Sequence, residues 1–292
     1  MGSFQQTISC VDLHAIIDNK NLVILDASIP PVGNMMTPKH SWPEFRIPHT
    51  RRFDLNQDFS DLKSNLPHTM PSVGHFELAA RAIGINQQSQ IVVYDDLGLF
   101  SAARAWYMFR AMGHENIAVL DGGLPYWLTL NKPLADAAID NVDDKNPVSG
   151  DFVAQEQAGF FAHWREVQTH TCSQEALIID ARANRRFIGA DAEPRAGVRS
   201  GHMPNAKNLP YTDLFNQGLF KPVNELVQTF ANINPKQQAM IMSCGSGVTA
   251  CVLALAANIS GHTDVRVYDG SWSEWGSLPN TVVETSIDKP PY

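Results

Sequence analysis

An internal repeat constrains the fold of this chain more than any other feature. The β-rich run LVILDA at 22–27 recurs as LIIDA at 177–181, and the apolar run at 91–94 matches the one at 240–243. Each member of the second pair leads into a helix-like segment. In a third pair, VLDGG at 119–123 matches VYDGS at 267–271, and each is followed by a Trp. Three matches in one order indicate a tandem duplication.

Within each repeat, short apolar strands alternate with helical segments. This alternation predicts an α/β fold in which a mostly parallel sheet has helices on both faces. A length of 292 residues suits two domains of roughly 140 residues each. Because the stretch after residue 135 is polar and turn-rich, we predict a first domain over 1–135, a linker over 136–160 and a second domain over 161–292.

Charge and cysteine content exclude several classes of protein. A formal net charge of −8 gives no reason to expect nucleic acid or an anionic membrane as partner. The chain has no uncharged apolar run of about 18 residues, and its first ten residues do not resemble a signal peptide. We therefore expect a cytoplasmic location. The four cysteines fit no zinc or disulfide pattern and are interpreted as reduced thiols: Cys10, Cys172, Cys244 and Cys251.

Cys244 lies in the stretch of the sequence that most clearly predicts a reactive side chain. The apolar run at 240–242 predicts a strand end, a loop with Gly245 and Gly247 follows, and Val248–Ile259 is expected to form a buried helix. In this arrangement of a strand, a glycine loop and a helix, the backbone N–H groups and the positive end of the helix face one small concave site. A thiol there should ionise more easily than a free cysteine. A purely structural cysteine is the alternative, which the Gly-Ser-Gly sequence and the helix disfavour.

The equivalent position in the first repeat is Asp95. A carboxylate cannot replace a thiol as the sulfur nucleophile, so the first domain is predicted to be catalytically silent and to wall in the second. A cysteine phosphatase would have a similar loop, but it would carry Arg at the sixth position after the cysteine. Ala250 stands there instead and provides no phosphate clamp.

Three motifs resemble those of the tandem-domain rhodanese sulfurtransferases: CGSGVT at 244–249, GHMPNA at 201–206 and YDGSWSEW at 268–275. The neutral residues after the cysteine are similar to the mercaptopyruvate branch of this family, whereas the thiosulfate branch carries basic residues there. The resemblance implies two rhodanese-like domains, with a silent first domain and a catalytic second one.

The same resemblance implies an activity. Cys244 would take sulfur from 3-mercaptopyruvate as a persulfide, release pyruvate and pass the sulfur to cyanide, a small thiol or a thioredoxin-like protein, without metal or organic cofactor. Backbone N–H groups of Gly245, Gly247, Val248 and Thr249 would bind the sulfur. Thiosulfate as donor remains an alternative, as does a non-enzymatic module that only carries persulfide.

A basic cluster follows the strand at 177–180. By resemblance, Arg186 and Arg195 match the family's substrate-binding arginines, whose fork geometry suits a keto-acid carboxylate. The three remaining members are interpreted as charges of a solvated loop, paired with Asp191 and Glu193: Arg182, Arg185 and Arg199.

Proton transfer is the least defined part of the expected site. The family mechanism implies that Ser246 works with a His and an Asp of the first domain, and His68 matches that His. No Asp stands at the apparent match, so either Asp58 substitutes or the triad is incomplete. Asp180 and Asp269 are interpreted as turn or cap residues that shape the site.

Overall fold

The computed structural model describes residues 5–30, 37–135 and 148–286. It contains two five-stranded parallel sheets and one short antiparallel hairpin. The elements of the first unit are β1 (Thr7–Ile8), α1 (Cys10–Ile16), β2 (Leu22–Asp26), β3 (Thr50–Arg52), α2 (Val73–Ala82), β4 (Gln90–Tyr94), α3 (Ala102–Ala111), β5 (Ile117–Leu120) and α4 (Gly123–Thr129).

The second unit repeats this plan and adds a hairpin. Its elements are β6 (Phe161–Ala162), α5 (Trp164–Ser173), β7 (Ala176–Asp180), α6 (Asn184–Phe187), β8 (Lys207–Asn208), a 3₁₀ helix (Tyr211–Leu214), β9 (Phe215–Asn216), β10 (Leu219–Phe220), α7 (Val223–Ile233), β11 (Ala239–Ser243), α8 (Ala250–Ile259), β12 (Val265–Tyr268) and α9 (Ser271–Trp275).

The two sheets have the same topology. Strand order is β1-β5-β4-β2-β3 in the first and β6-β12-β11-β7-β8 in the second, so each strand has a counterpart at the same place. The duplication and the α/β fold predicted from sequence are confirmed. Asp95 directly follows β4 and Cys244 directly follows β11, so both lie at the carboxyl ends of central strands. Ligands of open parallel sheets bind at this edge.

Counterpart helices α3 and α8 pack against each other between the two sheets. Residues 250–257 of α8 are all buried, which explains why this helix is apolar around its whole circumference. Helix α3 is nearly as buried, although it carries Arg104, which is also fully buried. One continuous apolar core therefore joins the two units, with Phe109 and Leu253 among its members.

The predicted linker falls partly outside the described residues, since 136–147 are not among them. Its later part packs on the first unit. Phe152 is fully buried beside Phe76 and Phe109, and its N–H donates to the Ile85 carbonyl at 3.2 Å. The domain boundaries thus remain a prediction. None of the described helices is long and apolar enough to cross a membrane.

Candidate active site

A cavity of about 290 Å³ opens between the two units at the carboxyl edge of the second sheet. The second unit contributes the Cys244 loop and the arginine segment, and the first unit contributes three side chains. Its lining is formed by Ile29, His68, Phe100, Ala181, Arg182, Ala183, Arg186, Pro194, Arg195, Tyr211, Thr212, Cys244, Gly245, Ser246, Val248 and Thr249. The site is therefore built by both halves of the duplication.

Three carbonyl groups of the loop after β11 accept hydrogen bonds from residues that do not line the cavity. The Cys244 carbonyl accepts from Trp272 N–H at 3.0 Å, and the Gly245 carbonyl accepts from the backbone and hydroxyl of Ser273. The Gly247 carbonyl accepts from the thiol of Cys251 at 3.2 Å. At position 247 only glycine fits, because φ is +74° and a Cβ atom would lie 2.7 Å from the Asp269 carbonyl oxygen.

The N–H groups of the same loop are left unpaired. Within the described part of the chain, none of the backbone N–H groups of residues 245–249 has a hydrogen-bond acceptor. The helix α8 starts directly after them at Ala250, two residues later than the apolar run predicted. Unpaired donors and a helix N-terminus at one place favour an anion such as a thiolate or a persulfide.

The first unit has an equivalent anion-binding loop, and the carboxylate of Asp95 accepts hydrogen bonds from its N–H groups. Asp95 Oδ2 accepts from the N–H groups of Phe100, Ser101 and Ala102 at 2.8–2.9 Å, and Oδ1 accepts from Leu97 N–H at 3.0 Å. This arrangement demonstrates within one molecule that the strand–loop–helix geometry holds an anion. In the second unit the corresponding side chain is Cys244, which leaves its loop donors available.

His68 and Ser246 meet across the boundary of the two units. His68 Nδ1 lies 3.0 Å from Ser246 Oγ. The pKa of His68 is lowered to about 4, mainly by burial and also by the nearby cations Arg104 and Arg195, while Asp269 opposes this shift. The imidazole is therefore neutral at pH 7, so that it can exchange a proton with the Ser246 hydroxyl.

Arg186 and Arg195 both line the cavity but differ in their partners. Arg186 donates from Nε and Nη2 to Glu193 at 3.2 and 2.5 Å. Arg195 has no acidic partner within hydrogen-bond reach among the described residues. Burial and the charge of Arg186 lower the pKa of Arg195, whereas Cys244 and Glu193 raise it. Of these two arginines, Arg195 is therefore the better placed to bind an anionic ligand.

The other arginines of the cluster are structural. Arg182 is buried between Asp180 and Glu193, at 2.7 and 2.8 Å, and Arg185 pairs with Asp191 on the surface. The Arg199 guanidinium donates to several carbonyl groups that follow α9. Arg185 is the solvated, acid-paired charge expected from the sequence, whereas Arg182 is buried and Arg199 is partly buried, so that expectation is wrong for these two side chains.

Comparison with known proteins identifies the family. The model of the rhodanese-like domain matches twice, over residues 9–130 and 164–278. The chain belongs to the rhodanese-like domain family. The two matches correspond to the two structural units.

Relatives of this rhodanese-like chain cover it almost entirely. It is 38% identical over 260 residues to human 3-mercaptopyruvate sulfurtransferase, covering 87% of this chain and 84% of that protein. It is 37% identical to the mitochondrial thiosulfate/3-mercaptopyruvate sulfurtransferase 1 of Arabidopsis thaliana, covering 97% and 79%. The crystal structure of SseA, a 3-mercaptopyruvate sulfotransferase of Escherichia coli, matches with a TM-score of 0.79 at 32% identity, covering 92% and 99%.

The rhodanese-like fold also determines which predicted residues meet. Cys244, Ser246, His68, Arg186 and Arg195 all line the same cavity. Asp58 does not complete a triad, because within the described residues its side chain is not a hydrogen-bond partner of His68. The carbonyl of Asp58 instead accepts from His75 at 2.8 Å.

Sequence reasoning assigned Asp269 only to a turn and missed its partner Arg104. Asp269 Oδ1 accepts from Arg104 Nη2 at 2.6 Å, and Oδ2 accepts from Met70 N–H at 2.8 Å. Asp269 thus ties the second unit to the first. The available signal for Arg104 is its position within a mostly apolar helical segment, where a buried cation needs a partner.

Proposed function

We propose that this chain is a sulfurtransferase that moves sulfane sulfur from 3-mercaptopyruvate to cyanide or a thiol through a persulfide on Cys244. One observation carries the proposal: Cys244, the His68–Ser246 pair and two cavity-lining arginines surround a single cavity. The names of the relatives support the same reaction. A nucleophile, a proton carrier and a carboxylate clamp are what a thiol-bearing keto acid requires.

Binding of the donor places its sulfur over the loop. Arg195 and Arg186 hold the carboxylate, and the donor's sulfur points toward Cys244 at the base of the cavity. The Cys244 thiolate attacks this sulfur, so an S–S bond forms while the C–S bond of the donor breaks. The bond pair of the C–S bond remains on carbon as the enolate of pyruvate. The unpaired N–H groups of residues 245–249 stabilise the charge on sulfur.

Proton transfer completes the first half of the reaction. After the attack, the donor's thiol proton is on the outer sulfur of the persulfide. The enolate carbon requires one proton to become pyruvate. Ser246 and neutral His68 provide a path for that proton, because their Oγ and Nδ1 atoms are 3.0 Å apart. The balance is then a persulfide anion on Cys244 and one pyruvate, with no external oxidant.

The acceptor removes the outer sulfur in the second half. With cyanide, carbon attacks the outer sulfur, the S–S bond breaks and thiocyanate leaves, which restores the Cys244 thiolate. A small thiol takes the same sulfur as a hydropersulfide. Splitting one transfer into two displacements at sulfur is the advantage of the covalent relay. A thioredoxin-like acceptor and a cytoplasmic location remain predictions, and one relative is named as mitochondrial.

Thiosulfate is the second candidate donor, and the name of the Arabidopsis relative includes it. Transfer of its outer sulfur to Cys244 releases sulfite and requires no proton. This reaction would therefore not use the His68–Ser246 pair. Val248 and Thr249 at the cavity wall are neutral, so they provide no additional positive charge for the thiosulfate dianion. Both features favour the keto acid.

Donor kinetics test the proposal. Purified protein is assayed for kcat/KM with 3-mercaptopyruvate and with thiosulfate, using cyanide as acceptor and following pyruvate, sulfite and thiocyanate. We expect the keto acid to be preferred and pyruvate to match thiocyanate one to one. A preference for thiosulfate would overturn the choice of donor, and failure to release pyruvate or sulfite would indicate a persulfide carrier. The Cys244→Ser variant provides the inactive control.

A further inference from the structure

Arg104 is a fully buried cation that the first unit inserts beneath the Cys244 loop. Its side chain is 0% exposed and lies on α3, the counterpart of the helix that follows Cys244. Burial alone would lower its pKa, but Asp269 and Cys251 raise the pKa above the ordinary value. A charge kept at such a depth needs several fixed partners.

The guanidinium of Arg104 joins three separate parts of the site. Nη2 donates to the His68 carbonyl at 2.7 Å and to Asp269 Oδ1 at 2.6 Å. Nη1 donates to the Gly247 carbonyl at 3.4 Å. One side chain therefore contacts the segment that carries the imidazole, the loop that holds the nucleophile and the acid that follows β12.

Two of these contacts hold unusual backbone conformations. His68 has a φ of +59°, in the left-handed region that a non-glycine residue adopts only with support from its surroundings. Gly247 has a φ of +74°, and its carbonyl points at Arg104 rather than into the cavity. The imidazole reaches Ser246, and the loop N–H groups face the sulfur, only while both backbones keep these conformations.

We propose that Arg104 is a positioning residue for sulfur transfer: it fixes the backbones of His68 and Gly247 so that the proton carrier and the sulfur cradle face the same substrate. This role rests on the proposed function, since it concerns the same cavity. It also gives the silent first domain a defined contribution, which is to supply both the imidazole and the cation that aims it.

The charge of Arg104 acts on the imidazole as well. The charged groups that affect His68 are Arg104 and Arg195, which disfavour its protonation, and Asp269, which favours it. Removal of Arg104 should therefore raise the pKa of His68, and neutralisation of Asp269 should lower it. If the two substitutions only loosened the packing around His68, both would expose the imidazole and move its pKa toward 6.5. Shifts of the His68 pKa in opposite directions therefore indicate an electrostatic effect.

The helix offers a matched control. Arg110 lies on α3, two turns after Arg104, and its Nη1 donates to Asn258 Oδ1 on α8 at 3.3 Å. It is thus a second partly buried cation at the same helix–helix contact, and it does not line the cavity. Arg110→Met reports what the loss of a cation does to the packing of the two units alone.

The experiment compares Arg104→Met, Arg104→Lys, Asp269→Asn and Arg110→Met with the unchanged chain. We expect Arg104→Met to reduce kcat/KM for 3-mercaptopyruvate about 100-fold, and for thiosulfate less than about tenfold, because both donors use the sulfur cradle but only the keto acid also needs the proton path. Arg104→Lys keeps the charge and should recover the keto-acid reaction to within about tenfold. Arg110→Met should stay within about twofold with both donors.

A second measurement does not depend on turnover. NMR titration of the His68 imidazole in the substrate-free protein should show its pKa rising in Arg104→Met and falling in Asp269→Asn. Equal losses with both donors, or shifts of both variants toward 6.5, would reduce Arg104 to a structural role and overturn the inference. If the unchanged chain fails to use 3-mercaptopyruvate, the proposed function fails, while the titration still decides whether Arg104 controls His68.

Discussion

Replacement of Arg195 by Gln tests the carboxylate clamp most sharply. Arg186 and Arg182 share Glu193, so part of their charge is already compensated within the protein. Arg195 lines the cavity without such a partner among the described residues. A donor carboxylate should consequently gain more from Arg195 than from its neighbour.

The magnitude follows from one charge-assisted hydrogen bond in a partly buried site. Such a bond contributes about 1.5–3 kcal/mol, which corresponds to roughly a 10- to 150-fold loss in kcat/KM. Because the carboxylate is bound in both the ground state and the transition state, most of the loss should appear as a higher KM. Gln removes the charge and is shorter than Arg, so the whole charge-assisted hydrogen bond is lost and the loss should fall within this range.

The assay is pyruvate release from 3-mercaptopyruvate with cyanide as acceptor, and Arg185→Gln is the matched control. Arg185 lies on the same segment, but its side chain is 70% exposed and is paired with Asp191. We expect the control to remain within about twofold of the unchanged chain. Activity of Arg195→Gln within the same twofold range would refute the clamp.

Three further predictions address the other parts of the account. Asp95→Ala leaves four N–H groups, three of them buried, without their acceptor, so the free energy of unfolding in urea should fall by about 2–4 kcal/mol, and a change below about 1 kcal/mol would argue against this role of Asp95. Ser246→Ala should slow the 3-mercaptopyruvate reaction about 100-fold and leave thiosulfate nearly unaffected; equal effects would exclude a proton path. Since the pKa of His68 is lowered to about 4, the unfolded chain binds the proton first, and stability should decline as the pH falls from about 6.5 to about 4. His68→Gln should remove this part of the pH profile of unfolding.

The fold and the nucleophile loop could be predicted because their information is local. Each strand–loop–helix unit carries its own apolar pattern, and repetition of that pattern in the sequence predicts the equivalence of Asp95 and Cys244. The loop geometry follows from two glycines and the start of a helix. Such features need no knowledge of what packs against them.

Contacts between distant segments could not be predicted in the same way. The pairing of Arg104 with Asp269 joins residues 165 positions apart, and it depends on how α3 docks against α8. Likewise, Glu193 could have paired with any of several arginines, and the structure shows that it contacts Arg182 and Arg186. Which arginine pairs with an acid depends on the burial of both side chains and on the distance each can reach. The amino-acid sequence does not specify either of these.

Mass spectrometry of the Cys244 peptide detects the proposed persulfide itself. Reduced protein is mixed with 3-mercaptopyruvate in the absence of acceptor, and peptides are compared before and after the addition of cyanide. We expect the gain of one sulfur on Cys244 with one pyruvate released per chain, followed by loss of that sulfur as thiocyanate. No added sulfur, or sulfur found on Cys10, Cys172 or Cys251 instead, would contradict it.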